Sequence, residues 1–214
     1  SGATFSIMDR EDTLSKIKDV KAQFPSDWVL PNVYLLHGNL SAEEMNFLYN
    51  HPKVKSMISF THGEGFGRPL LEATMTGLSV IASNWSGQLD FLDTEKSLLL
   101  SGELQQVPQS AVWKDIVIPE SQWFTVDEVI AYKALNYAFD NSYDIKRKAK
   151  SLMRINREKY KLSDMIEKLD KVMEQYTSQL STQVGLKLPK LKKVDKSELP
   201  KIKLPKLKKV TEEV

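Results

Sequence analysis

The sequence contains no cysteine. That excludes a disulfide scaffold, a thiol nucleophile and any thiolate metal site, and it suits a reducing compartment. No uninterrupted apolar stretch reaches about 18 residues, so no transmembrane segment is expected. The opening Ser1-Gly-Ala-Thr-Phe has neither a basic region nor a long apolar core and does not read as a signal peptide. These absences point to a cytoplasmic protein. Asp-x-Asp, the metal–nucleotide triplet, does not occur either. Glycine is scarce, nine in 214 residues, and three of the nine lie between positions 63 and 67.

Enough apolar side chains are present, 41%, to build a core, so wholesale disorder is excluded. Charge is distributed unevenly. Residues 183–214 hold ten lysines against four acidic residues, a net +6, while the remaining chain holds 20 basic against 24 acidic residues, a net −4. A weakly acidic body does not fit a nucleic-acid-binding domain, and the basic tail lacks aromatic rings to stack on bases. The tail carries an internal repeat: Leu-Lys-Leu-Pro-Lys-Leu-Lys-Lys-Val from 186 returns as Ile-Lys-Leu-Pro-Lys-Leu-Lys-Lys-Val from 202. Its prolines argue against a helix. A disordered or edge-packed tail, a docking strap and a tether to an anionic surface all remain open. The composition divides the chain into a body, 1–182, and a Lys/Leu/Pro tail, 183–214.

Between about 31 and 102, short apolar runs alternate with helical patterns. Runs at 33–37, 53–60, 78–83 and 97–101 stop at glycine or proline and read as buried parallel strands. Ser41-Ala-Glu-Glu44 is a capping box opening a helix. Pro69 suits the first position of another helix, ending at Gly77. This alternation predicts an α/β protein with a Rossmann-like, doubly wound parallel sheet. Further on, Thr125-Val-Asp-Glu128 reads as a second capping box, opening a helix to about Asn141. One long helix or two then follow over 145–176, with an apolar stripe at Leu152, Ile155, Leu162, Ile166, Leu169 and Met173 expected to face the core.

Chemistry concentrates in His62-Gly-Glu-Gly-Phe-Gly-Arg-Pro69, a glycine-rich turn from strand to helix. Such a turn lets backbone approach a ligand, and the following helix N-terminus offers N–H groups to an anion. A phosphate-bearing ligand follows from the loop. It matches neither Gly-x-Gly-x-x-Gly nor the Walker pattern. Glu64 lies before the helix, and Glu72 lies three residues after Pro69, in what reads as the first turn. Helix stabilisation accounts for Glu72, and a solvated loop for Glu64, as the plainer alternatives. Carboxylates also accept from paired hydroxyls, as sugars and riboses present them. Phosphate and hydroxyl binders side by side look like a nucleotide-sugar site.

The segment Glu64-Gly-Phe-Gly-Arg-Pro-Leu-Leu-Glu72 resembles the Glu-x7-Glu motif of retaining GT-B glycosyltransferases, the large family that includes bacterial mannosyltransferases and sucrose synthases. Residues 33–49, 76–83 and 85–92 are similar to the elements around that motif, and the likeness extends over about 33–176. It implies the C-terminal, donor-binding half of a GT-B fold. Glu64 would contact the donor sugar and is the candidate catalytic residue. The Gly65, Phe66 and Gly67 backbone would approach sugar and diphosphate. Arg68, Pro69 and Leu70 would place helix N–H groups near the diphosphate, and Glu72 would bind the ribose. His37, Gly38 and Asn39 would lie near the base. His62 would line the site, or serve a structural role. No cofactor is implied, the nucleotide-diphosphate sugar being a substrate, and no metal. The partners implied are that nucleotide sugar, a saccharide or other acceptor, and a missing N-terminal GT-B domain or partner chain, because the family's first donor-domain strand and its acceptor domain are not represented. The alternative is a non-catalytic nucleotide-sugar-binding or assembly module docked to a larger partner.

Overall fold

The computed structural model describes residues 6–177; the repeat tail lies outside the described residues. The chain divides into two compact units, Ser1–Met165 and Ile166–Val214. The first is a mixed α/β unit. Its helices are α1 (Ile7–Ala22), α2 (Ala42–Asn50), α3 (Arg68–Met75), α4 (Glu128–Asp140) and α5 (Ser142–Lys159). A further helix, α6 (Leu162–Thr177), begins in the first unit, and its residues 166–177 are the described part of the second.

Three strands, β1 (Ser56–Ser59), β2 (Ser79–Ser83) and β3 (Leu98–Leu100), form a parallel sheet in the order β1-β2-β3. Ser56 pairs with Ser79 and Ile81 with Leu98, so all three strands run from the same edge. The central strand β2 is buried along its whole length, as its near-continuous apolar run requires. Leu70, Leu71 and Ala73 of α3, Val80 and Ala82 of β2, Phe91, Leu92, and Leu152 of α5 form one core cluster. α5 buries Ile145, Ala149, Leu152 and Asn156, which recur at helical spacing and so share one face. Asn156 is polar yet only 1% exposed, and its Nδ2 donates to Thr74 Oγ1 (2.9 Å) and the Phe91 carbonyl (3.1 Å). It fixes α5 to α3 and to the segment after β2.

Beside the sheet stands an antiparallel hairpin, β4 (Gly102–Gln106) with β5 (Gln122–Val126). The sequence gives it little periodic signal, and it was not expected. Its presence moves the start of α4: Thr125 and Val126 belong to β5, and the cap is Asp127, whose carboxylate accepts from the Ile130 N–H at 2.9 Å. The Ser41–Glu44 capping box forms as expected. Residues 33–37 do not form a strand; Val33, Tyr34 and Leu36 are exposed, and β1 pairs only with β2. A strand needs a neighbouring strand to pair with, and among the described residues no strand of either sheet pairs with this segment. The region 145–176 is two helices, broken at Tyr160 and Lys161. Of the apolar stripe, Leu152 is buried, but Ile155 and Leu162 are exposed. No helix among the described residues is long and apolar enough to cross a membrane.

Candidate functional site

β1, β2 and β3 end on the same side, and open α/β sheets bind ligands outside the carboxyl ends of their strands. The glycine-rich loop sits there, between β1 and α3. Gly67 caps α3 with φ +84°, a backbone that favours glycine, and its carbonyl accepts from the N–H groups of Leu70 (2.9 Å) and Leu71 (3.1 Å). Pro69 has no N–H, and that of Leu70 is thus engaged. The free donors lie one step earlier than expected: among the described residues the N–H groups of Gly65, Phe66, Gly67 and Arg68 have no acceptor. Four successive unsatisfied donors at a helix N-terminus suit an anion. Beside Gly65 the space is open, with no atom within 4 Å of where a Cβ would stand.

The loop is clamped from the turn after β2. Ser86 Oγ donates to the Glu64 carbonyl (2.6 Å) and accepts from the Glu64 N–H (3.1 Å). The Gly87 N–H donates to the same carbonyl at 2.9 Å. The approach is so close that a Cβ on Gly87 would stand 2.2 Å from the Gly65 carbonyl oxygen. Ser86 itself adopts φ +80°, ψ −158°, a region that costs a non-glycine residue about 1–3 kcal/mol. Underneath, buried Gln88 donates from Nε2 to the Ser83 carbonyl and hydroxyl, both at 3.0 Å, and Ser83 Oγ donates to the Thr61 carbonyl at 3.0 Å. The ends of β1 and β2 are therefore tied together below the loop. The backbone of Glu64 is fixed, while its carboxylate has no partner among the described residues.

Glu72 is the fifth residue of α3 and not in its first turn, because the helix starts at Arg68. Helix-dipole stabilisation is correspondingly weak there. Its Oε1 instead pairs with Arg68 Nε at 3.1 Å, one turn back, with both side chains partly or largely exposed. Glu72, Arg68 and Arg157 line a groove of about 490 Å³ together with Leu40, Met45 and Tyr49. Partial burial, and secondarily the Glu72 carboxylate, raise the Tyr49 phenol above its ordinary value, while Arg68 acts the other way.

His62, Glu64 and the 65–67 backbone thus lie in the turn between β1 and α3, while Glu72 lies one turn into α3, on the groove shared with α2. Phe66 turns its ring onto Phe91 (5.3 Å between centroids) and Tyr160 (6.0 Å), anchoring the loop. His37 and Gly38 lie in the irregular segment before α2; Leu40, two residues after Gly38, reaches the Glu72 groove. His62 Nδ1 donates to the Phe124 carbonyl (2.7 Å) and its own carbonyl accepts the Phe124 N–H (3.2 Å), so β5 is bound to the loop. Ser86, Gly87, Trp85, Trp123 and Phe124 were not assigned roles from sequence. Ser86-Gly87 after an apolar strand was the available signal; the aromatic wall needed the hairpin. Among the described residues no group of His, Asp or Glu is arranged to hold a metal ion. No family model matches the chain, and no curated protein matches it.

Proposed function

We propose that this chain is the donor-binding part of a retaining glycosyltransferase, in the manner of the C-terminal, doubly wound half of a GT-B enzyme, acting in the cytoplasm. The observation that carries the proposal is the run of four free backbone donors, Gly65 to Arg68, at the start of α3, flanked in the sequence by Glu64 and Glu72. The donors take the diphosphate; Glu72 takes the ribose hydroxyls; Glu64 takes the transferred sugar. In the reaction, the bond from the anomeric carbon to the diphosphate oxygen breaks. A bond to the acceptor oxygen forms on the same face, and the acceptor proton passes to the departing diphosphate. Charge building on that leaving group is stabilised by preorganised N–H groups and the Arg68 guanidinium. The acceptor site belongs to a further domain or partner chain.

Isothermal titration of the full chain with UDP, GDP and ADP, and with their hexose conjugates, tests the proposal. Saturable binding of one nucleotide diphosphate and its sugar conjugate is expected. Absence of binding by all of them, combined with stable association with another protein chain, would instead favour an assembly module.

A further inference from the structure

Helix α5 carries seven basic residues against two acidic ones, Asp144 and Glu158, in a body whose net charge is −4. Two of the seven are engaged by backbone. Arg157 Nε donates to the Met75 carbonyl at 2.7 Å, and Lys159 Nζ to the Asp90 carbonyl at 2.8 Å. Of the rest, Arg147, Lys148, Lys150 and Arg154 line one groove of about 630 Å³, joined by Lys96 from the turn that leads into β3. Glu95 is the one acidic residue on its lining, and Thr94 and Ser151 add hydroxyls. The groove lies where β3 begins, whereas the glycine-rich loop lies where β1 ends. Because the strands are parallel, these are opposite ends of the sheet.

The cationic groups of Lys150 and Arg154, one helical turn apart, have no partner among the described residues. The other cations are held by exchangeable pairs. Arg147 Nη2 and Lys148 Nζ share the Asp144 carboxylate at 2.6 and 3.3 Å, and Lys96 Nζ pairs with Asp93 at 2.8 Å. The Arg147 side chain is 69% exposed, and exposed pairs of this kind contribute little. Arg147, Lys150 and Arg154 recur at helical spacing opposite the buried face of Ile145, Ala149 and Leu152. Their charges therefore form a row about two turns long. Like charges a turn apart repel, and an anion in the groove offsets that repulsion. A phosphate monoester carries close to two negative charges near neutral pH and three acceptor oxygens, which an arginine meets in forked geometry. Two or more phosphates on one molecule can engage the row and Lys96 together. A peptide carboxylate brings a single charge per side chain. The lining holds no aromatic ring on which a nucleobase could stack.

We propose that this groove binds a ligand bearing two or more phosphate groups, held first by Lys150 and Arg154, with Arg147, Lys148 and Lys96 closing around it. The hydroxyls of Ser151 and Thr94 donate to the remaining phosphate oxygens. The phosphates belong either to a soluble polyphosphorylated molecule or to a lipid headgroup. The site shares no residue with the donor site proposed above and does not depend on it.

Calorimetry on the full chain tests the groove, with myo-inositol hexakisphosphate as the soluble probe and poly-glutamate as the carboxylate control. Sedimentation with phosphatidylcholine vesicles, plain or doped with phosphatidylinositol bisphosphate, tests the lipid source. Saturable binding of at least one phosphate probe is expected. Replacing both Lys150→Gln and Arg154→Gln should weaken it about tenfold or more, as the loss of one charge-assisted hydrogen bond already does. Replacing Lys18→Gln and Lys114→Gln removes the same charge from exposed positions off the groove, and should leave affinity within about twofold of the parent. The basic tail is present in both double variants, so its attraction cancels between them. Matching urea midpoints for parent and variants verify folding. Recruitment to doped vesicles that is lost in the groove variant assigns a headgroup, and binding of the soluble probe without recruitment assigns a soluble ligand. A loss of probe binding in Gly65→Ala but not in the groove variant would place the phosphates at the glycine-rich loop and overturn the groove. Equal losses in the two double variants, poly-glutamate binding as tight as the phosphate probe, or no binding of either phosphate probe would also overturn it.

Discussion

Adding one methyl group at Gly87 tests whether the clamp on Glu64 holds the site together. The Cβ of an alanine there would stand 2.2 Å from the Gly65 carbonyl oxygen, 2.6 Å from its carbon and 2.8 Å from the Glu64 carbonyl oxygen. All three are backbone atoms, so no side chain can swing aside. The turn must retreat by about 1 Å to reach ordinary contact distance. That retreat stretches the Gly87 N–H to Glu64 bond, now 2.9 Å, beyond hydrogen-bonding range, and drags the two Ser86 bonds with it. Three bonds at a net 0.5–1.5 kcal/mol each give a loss of roughly 1.5–4.5 kcal/mol. Reduced freedom of the unfolded alanine chain returns about 0.4–1 kcal/mol. Gly87→Ala should therefore destabilise the protein by about 1–4 kcal/mol in urea unfolding and weaken nucleotide-sugar binding. Gly65→Ala is the matched control. Its Cβ meets nothing, so stability should stay level or rise slightly, while a ligand pressed against that backbone should be lost. A Gly87→Ala protein with the parent's unfolding midpoint and the parent's affinity would refute the clamp.

Glu64→Ala is expected to weaken binding of an intact nucleotide sugar and leave free nucleotide affinity nearly unchanged, whereas Glu72→Ala should weaken both; calorimetric affinities for the two ligands check the split. Asn156→Leu removes two buried bonds and orphans the Phe91 carbonyl, so it should cost about 1–3 kcal/mol, read as a lowered urea midpoint. Hydrogen bonding from Lys96 holds the Asp93 carboxyl below its ordinary value. The folded state thus favours the ionised form, and this contribution is present above the ordinary carboxylate value and disappears as pH falls through the depressed one. Asp93→Asn should accordingly lower the unfolding midpoint at neutral pH and converge with the parent in acid, which a pH series of urea melts measures.

The parallel sheet was legible because its strands are nearly unbroken apolar runs ending at glycine or serine, and α3 because Pro69 and Gly77 mark its two ends. The run at 33–37 looks the same but forms no strand: apolarity shows what could be buried, not whether a neighbour exists to pair with it. The hairpin escaped for the opposite reason. Its strands Gly102–Gln106 and Gln122–Val126 are half polar, and 15 residues separate them, so pairing depends on a long-range contact that no local pattern records. The same distance hid the stack of Trp85 on Phe124, which forms only once the hairpin has paired. The glycine-rich turn between β1 and α3 was visible in sequence because its geometry is local. The clamp at Ser86 and Gly87 was not, because it joins two separate βα turns.

The ion pair between Arg68 and Glu72 bears on whether the loop can bind a nucleotide. A carboxylate already occupied would be a poor ribose ligand if its partner held it firmly. The Arg68 side chain, however, is 83% exposed, and an exposed pair one helical turn apart is worth only about 0.3–0.5 kcal/mol. A single hydrogen bond to a charged group contributes about 1.5–3 kcal/mol, so one ribose hydroxyl outweighs the pair. The exchange also favours the other partner. Arg68 is the first residue of α3, beside the free N–H groups of Gly65, Phe66 and Gly67, and a guanidinium binds phosphate oxygens in the same forked geometry that it uses for a carboxylate. A nucleotide diphosphate would take Arg68 to its phosphates and leave Glu72 to its hydroxyls. On the donor-site proposal, the ion pair is thus the resting arrangement of two groups whose ligand supplies a better partner for each.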